Sequence, residues 1–188
     1  ALAEGKRNKI RIWCAASSTG QEPYCLAMMI NDFLESGKTL CNKFNINDFE
    51  ILATDISPAV LKQATKGEFT EFETSRGLPD SYRKKYFEKS GDCWVVQKKL
   101  RDMIKFQRCN LIKPVLYLGH FDFIICRNVL IYFDLETKTK ILNQFDHMIN
   151  TGGILLLGAS ENLDEPIETL KREVFGDTRY YKKLPNGQ

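Results

Sequence analysis

Short apolar runs alternate along the chain with stretches whose apolar residues recur at helical spacing, the pattern of an α/β protein with a mainly parallel sheet. The first run is Ile10–Ala15, IRIWCA. A loop of small residues follows, and residues 23–33 then read as a helix with Leu26, Met29, Ile30 and Phe33 on one face. Pro23 suits a first helical turn, where its missing N–H costs nothing. A second strand is expected over residues 49–54, ending at Asp55, and Ser57-Pro58 then caps a helix that stops near Gly67. The run Phe121–Cys126 predicts a third strand, and Asp134 caps a long helix with Ile141, Leu142, Phe145, Met148 and Ile149 facing inward. Gly152-Gly153 is expected to end that helix and feed a strand over residues 154–157. After a turn at Gly176-Asp177, residues 179–182 predict a closing strand, which pairs most easily in the antiparallel sense.

The stretch from about residue 69 to residue 108 breaks this rhythm and reads as a small insertion on the main sheet. It has a turn at Gly77-Leu78-Pro79, an amphipathic segment over residues 82–87, and strand-like pieces at residues 93–97 and 103–107. Its charge changes the picture of a chain whose total is only +3. Residues 82–108 hold nine Lys or Arg against three acids, a net of +6, so the remainder carries −3. A basic insertion on an acidic body is the expectation.

A length of 188 residues suits one domain with a normal core, which needs no metal or disulfide staple. The 11% aromatic content and modest charge exclude a disordered chain, and no apolar run approaches the roughly 18 residues of a membrane span. The polar start, residues 1–9, reads as neither signal nor transit peptide. Cys14, Cys25, Cys41, Cys93, Cys109 and Cys126 form no Cys-x-x-Cys pair, and with only His120 and His147 to help, no metal site is expected. They read as buried, reduced thiols of a cytoplasmic protein.

In doubly wound sheets ligands lie beyond the carboxyl ends of the strands, and three strand ends carry unusual residues. Residues 15–23, AASSTGQEP, form a small-residue loop running into a helix, where backbone N–H groups are free. With Gly20 alone it is not a dinucleotide fingerprint. Glu22 would repel a pyrophosphate but suits a cationic ligand; an ordinary turn is the alternative. Asp55, at the second strand end, is placed either to accept from both ribose hydroxyls or to serve as a turn aspartate. The third end, CRNVLIYF at residues 126–133, puts Arg127 and Asn128 directly after a buried run and Tyr132 nearby. Arg127 suits an anionic substrate or a structural salt bridge, and Tyr132 a reactive edge or the core.

Taken together, Trp-x-Ala-Ala-x-Ser-Thr-Gly-x-Glu-Pro-Tyr, Ala-Thr-Asp-Ile, Cys-Arg-Asn-Val-x-Ile-Tyr-Phe, Gly-Gly and Ser160-Glu161-Asn162 resemble the CheR family of chemotaxis-receptor glutamate methyltransferases. The resemblance runs from about Ile10 to Lys182. It implies a Rossmann-like class I methyltransferase fold over residues 1–188: a mainly parallel sheet, an antiparallel C-terminal strand and a small inserted β-subdomain at about 69–108. It implies S-adenosylmethionine as cofactor and S-adenosylhomocysteine as product. Ala16 and Glu22 then match the first cofactor loop, Asp55 the ribose-binding acid, and Asn110-Leu111 the pair beside the adenine. Arg127 and Asn128 match the cofactor and active-site edge, and Tyr132 the tyrosine near the transferred methyl. Arg127 and Tyr132 are thus the expected catalytic residues. Gln21 stands where an acid is more usual.

The implied reaction is transfer of a methyl group to receptor glutamates in chemotaxis adaptation. The partners are cytoplasmic chemoreceptor helices, docked in part through the basic insertion by a monomeric protein that neither binds nucleic acid nor inserts into the membrane. Family members begin with a helical domain, whereas nine residues precede the first strand here, so a catalytic fragment is expected. A methyltransferase for nucleic acid or small molecules, a non-catalytic S-adenosylmethionine sensor or scaffold, and a nicotinamide oxidoreductase are the rival readings.

Overall fold

The computed structural model describes residues 9–37 and 44–185; Cys41 and the polar start before Lys9 lie outside them. The chain forms β1 (Ile10–Ala15), α1 (Gln21–Glu35), β2 (Phe49–Asp55) and α2 (Pro58–Lys66). The insertion follows as β3 (Glu68–Thr70), α3 (Glu71–Ser75), α4 (Asp80–Tyr86), β4 (Phe87–Ser90), β5 (Cys93–Val96) and α5 (Lys98–Arg101). Then come β6 (Ile104–Arg108), β7 (Phe121–Cys126), α6 (Leu135–Met148), β8 (Ile149–Leu157), β9 (Leu170–Phe175) and β10 (Thr178–Lys183).

The main sheet has the order β6-β2-β1-β7-β8-β10-β9. Strands β6, β2, β1, β7 and β8 run parallel, while β10 is antiparallel to both β8 and β9. This is the α/β class expected from the periodicity. Alternation along β1 divides the core between two faces. Trp13 packs towards α6, edge-on to Phe145 at 5.3 Å and beside Phe121 at 5.4 Å, with its indole N–H donating to Thr54 Oγ1 at 2.9 Å. Ile12 and Cys14 face the other way, into a cluster with Tyr24, Met28, Tyr86 and Leu100. Ser57 caps α2 through Val60 N–H, Gly67 closes that helix at φ 65°, and Asp134 caps α6 through Thr137 N–H, as the sequence predicts.

Four expectations need correction. The strand-like piece at residues 103–107 is β6, an edge strand of the main sheet paired with β2, so the separate antiparallel sheet comprises β3, β5 and β4 alone. The buried face of α1 is Tyr24, Ala27, Met28, Ile30 and Asn31, while Met29 and Phe33 stay 60% and 43% exposed. Polar Asn31 disguised that face; its amide donates to Tyr86 Oη at 3.1 Å and Glu35 Oε1 at 2.7 Å. The helix α6 ends at Met148 rather than at the glycines, which lie inside β8, where the register against β7 shifts. The hairpin partner β9 carried no sequence signal, its residues being largely exposed. Among the thiols, Cys25 is exposed on α1, whereas Cys14, Cys109 and Cys126 are buried.

The insertion leans on α1 through charge. Lys85 Nζ and Tyr86 Oη both donate to Asp32 Oδ1 at 2.5 Å, and Lys85 also pairs with Glu35 at 2.8 Å. These hydrogen bonds, with one from Tyr82, hold the Asp32 carboxyl down to about 2. Arg83 pairs with Glu71 and Asp80, Lys98 with Asp102, and Lys99 with Glu35. Four of the nine cations are thus neutralised locally; Lys84, Lys89, Arg101, Lys105 and Arg108 have no ion pair among the described residues.

Gly153 shows how tightly the β7–β8 seam is closed. A Cβ there would lie 2.8 Å from the carbonyl oxygens of Asn150 and Asp122, backbone atoms that cannot rotate aside. Gly153→Ala is expected to cost about 1–3 kcal/mol by overpacking, read as a lower urea midpoint at unchanged m-value. A variant as stable as the parent would show that the seam can widen.

Candidate functional site

Five parallel strands end on one edge of the sheet, and β1 stands at the point where the chain order reverses, with β2 on one side and β7 on the other. That is the position at which a doubly wound sheet opens a crevice. The loop after β1 bends sharply: Ala16 and Ser18 adopt left-handed backbone conformations at φ 57° and 50°, and Gly20 at 95°. Such conformations cost a non-glycine residue on the order of 1–2 kcal/mol. Here they are held by Ser17 N–H donating to Thr54 O at 2.8 Å and Ser18 N–H donating to Asp55 Oδ2 at 3.0 Å. The loop delivers the chain to α1, whose N-terminus has Gly20 at the cap position and no side-chain cap. Its first N–H groups therefore face the crevice with no side chain to take them.

Asp55 ends β2 half-buried and accepts one N–H on each oxygen, from Ser57 at 3.0 Å and Ser18 at 3.0 Å. It is a turn aspartate, and each oxygen keeps a free lone pair as well. The next strand brings Asn110 and Leu111 beside it, since Cys109 N–H donates to Asp55 O at 2.9 Å. Asn110 Oδ1 accepts from Ile112 N–H at 3.1 Å, which fixes that turn, and Leu111 is buried.

From the other side, Glu22 and Arg127 meet across the crevice with Nη1 3.1 Å from Oε1. Burial pushes the Glu22 carboxyl above the usual carboxylate range, and the guanidinium of Arg127 pulls it back. A half-buried acid in this state gains from any cation that enters beside it. Asn128, at φ 58°, and the helical turn Leu130–Tyr132 follow, with Tyr132 78% exposed and its hydroxyl without a partner among the described residues. The edge thus gathers Ala16, Glu22, Asp55, Asn110, Leu111, Arg127 and Asn128, while Tyr132 stands outward at the rim.

The residue that sequence reasoning left without a role is Glu161. Only 7% exposed, it accepts backbone N–H groups from Asn128 (2.8 Å), Val129 (2.9 Å), Leu130 (2.8 Å), Ile131 (3.4 Å) and Gly158 (2.7 Å). Gly158 has to be glycine for this, because a Cβ there would sit 2.5 Å from Glu161 Oε2 and 2.7 Å from Asn128 Oδ1. A signal was present: an acid three residues after Gly158, where the apolar run 154–157 ends, has no business in solvent-poor surroundings unless something receives it.

The residues along this edge suit a cation bearing hydroxyls. Ser17 Oγ is buried without a hydrogen-bond partner, the α1 N-terminus is uncapped, Asp55 keeps acceptor capacity, and Glu22 stands ready for positive charge. Among the described residues no three His, Cys, Asp or Glu side chains come together as metal ligands.

Comparison with known proteins agrees with this fit. The family described as CheR methyltransferase, SAM binding domain, matches residues 1–179. A chemotaxis protein methyltransferase of Vibrio parahaemolyticus is 42% identical over 165 residues, covering 86% of this chain and 58% of the relative. Chemotaxis protein methyltransferase 1 of Pseudomonas aeruginosa is 39% identical, covering 83% of this chain and 56% of the relative. One from Listeria monocytogenes is 37% identical, covering 89% and 59%. The chain therefore spans under three-fifths of the length of these relatives. It belongs to the CheR methyltransferase SAM-binding domain family, and its cofactor is S-adenosylmethionine.

Glu161→Gln replaces one oxygen by an NH2 that faces N–H donors. With charge-assisted bonds lost and buried donors unmet, a cost of at least about 3 kcal/mol is expected, measured as a fall in chemical denaturation midpoint. An unchanged midpoint would mean that the five bonds are not what holds this corner.

Proposed function

We propose that this chain is the catalytic domain of a protein-glutamate O-methyltransferase of the cytoplasm, which methylates glutamate carboxylates on chemoreceptor helices during chemotaxis adaptation. The observation that carries the reading is the meeting, on one sheet edge, of the uncapped α1 N-terminus, the ribose-competent Asp55 and the Glu22–Arg127 pair. Relatives named chemotaxis protein methyltransferase support the chemotactic role.

Asp55 would hold the ribose hydroxyls, with Asn110 and Leu111 beside the adenine. Ala16, whose small side chain sits in a left-handed turn, lets the ligand approach the backbone. Glu22 would face the cationic end, and Asn128 the active edge. When bound, S-adenosylmethionine supplies a methyl carbon on a sulfonium centre, open to in-line attack. An exposed glutamate has a pKa near 4.3, so the acceptor is already ionised at neutral pH and no general base is required. Methyl transfer from that sulfonium centre to an ionised carboxylate would leave a neutral ester and a neutral thioether, with no proton to move. Catalysis then rests on alignment at about 3 Å. Arg127, held by Glu22, orients the acceptor without binding it so strongly that its nucleophilicity is lost. The Tyr132 hydroxyl fixes the methyl geometry.

Receptor docking would use the insertion in part, now chiefly through Lys84 and the cations at its rim. Trp94 is not a free stacking platform for bases, because Arg83 and Lys89 lie over its ring at 5.0 and 5.4 Å and its N–H donates to Glu71.

Asp55→Ala should weaken S-adenosylmethionine binding by about 2–4 kcal/mol, through lost charge-assisted hydrogen bonds. Calorimetry that finds parental affinity in a folded variant would move the ribose elsewhere. Tyr132→Phe keeps the ring and removes only an unpartnered hydroxyl, so folding and cofactor affinity should hold while the methylation rate of receptor glutamates falls. A full rate in that variant removes the hydroxyl from the reaction.

A further inference from the structure

Beyond Arg127 the sheet edge continues into a cavity of about 300 Å³ between the end of β8 and the β9–β10 hairpin, lined by Arg127, Gly158, Glu161, Asp177 and Arg179 among others. None of the sequence motifs reached it from the hairpin side. Its distinctive group is Arg179, half-buried on β10. The guanidinium donates to Asn162 Oδ1 at 3.1 Å and to Ala159 O, both neutral acceptors. Among the described residues it has no carboxylate partner, unlike Arg127, and three of its five N–H groups remain free.

The acids around it do not meet that charge. Glu161 is occupied by five backbone N–H groups, Glu22 is taken up by Arg127, and Asp177 stands exposed at the hairpin tip. A guanidinium fixed in direction by neutral oxygens, and left with free N–H groups, is suited to receive one oxygen of a carboxylate. A dianionic phosphate would be repelled more strongly than a single carboxylate by the Glu161 and Asp177 charges in the same lining. Apolar side chains stand on the flanking segments: Phe175 is 82% exposed on the hairpin and Ile131 51% exposed beyond β7. Such a border suits a protein segment rather than a small acid.

We propose that this cavity is the seat of the acceptor carboxylate, and that Arg179 determines specificity by distinguishing glutamate from glutamine. The inference rests on the methyl-transfer reading and adds to it the residue that selects the substrate side chain. Arg179 holds the carboxylate oxygen that does not attack. Asp177, at the mouth, opposes the same charge and keeps the acceptor from binding too tightly to leave.

The test measures binding to the chain saturated with S-adenosylhomocysteine, by fluorescence anisotropy of a chemoreceptor methylation-helix peptide carrying one glutamate. The same peptide with glutamine at that position is the comparison. The parent should prefer the glutamate peptide by about tenfold or more, the equivalent of one charge-assisted hydrogen bond. Arg179→Gln should bring the ratio near one, Arg179→Lys should restore part of it, and Asp177→Asn should raise it. S-adenosylhomocysteine affinity, measured by calorimetry, should be unchanged throughout. Asp177 is exposed and makes no described contact, so its variant reads the cavity even if Arg179→Gln does not fold. Equal ratios in parent, Arg179→Gln and Asp177→Asn would overturn the proposal, as would a parent blind to the difference. Absence of S-adenosylhomocysteine binding in the parent would instead strike at the proposed function.

Discussion

One buried carboxylate organises the active edge. Glu161 binds the backbone after β7 and the backbone after β8 at once, so two strand ends that belong to different turns of the fold move as one piece. An anion in such a place would ordinarily be costly, and no cation pairs with it among the described residues; the five N–H dipoles do the work instead. The consequences propagate. Asn128 is held in its left-handed conformation, Arg127 is directed back across the crevice to Glu22, and the turn that carries Tyr132 is started from a fixed N-terminus. Ala159 and Asn162 then bring the β9–β10 hairpin against the same corner by accepting from Arg179.

The other half of the site is organised by Asp55 and the loop after β1, again through backbone N–H groups rather than ion pairs. Between the two halves lies the single described salt bridge of the crevice, Arg127 with Glu22. This division has a chemical logic. Asp55 and Glu161, satisfied by neutral dipoles, stay in position without consuming an arginine, so Arg179 has no carboxylate partner among the described residues, whereas Arg127 is paired with Glu22. The insertion is tied to the far end of α1, the helix whose near end lines the crevice, by Lys85 and Tyr86 on Asp32. Two of the charges that look in the sequence like a docking surface, Lys85 and Lys99, instead fasten the insertion to the body through Asp32 and Glu35.

Most of the fold could be seen in the pattern of apolar positions, because β1, β2, β7 and β8 are buried parallel strands and such strands are nearly continuous apolar runs. The caps Ser57, Gly67 and Asp134 were equally plain, since capping is a local matter of one side chain and one turn. The α1 face was misread for a physical reason: its burial depends on the insertion, whose Tyr86 makes a partner for Asn31, and no local period reports a contact 55 residues away. The same holds for β6, which is short, amphipathic and made a strand of the main sheet only by the open edge of β2. It also holds for β9, whose polar residues gain order from β10 alone among the strands.

For the site, Asn110 and Leu111 came from the family resemblance alone, while the chain itself showed Ala16, Glu22, Asp55, Arg127, Asn128 and Tyr132 at or soon after strand ends. Their types announced a ligand with hydroxyls and positive charge, because strand ends in such a sheet share one edge whatever the loops between them do. Only the tertiary structure decided what each one touches. The structure makes Asp55 a turn aspartate, held by two N–H groups from residues 2 and 37 positions away. Glu161 and Arg179 gained their significance the same way. A buried charge is defined by the dipoles that surround it, and those dipoles come from segments that are neighbours in space and strangers along the chain.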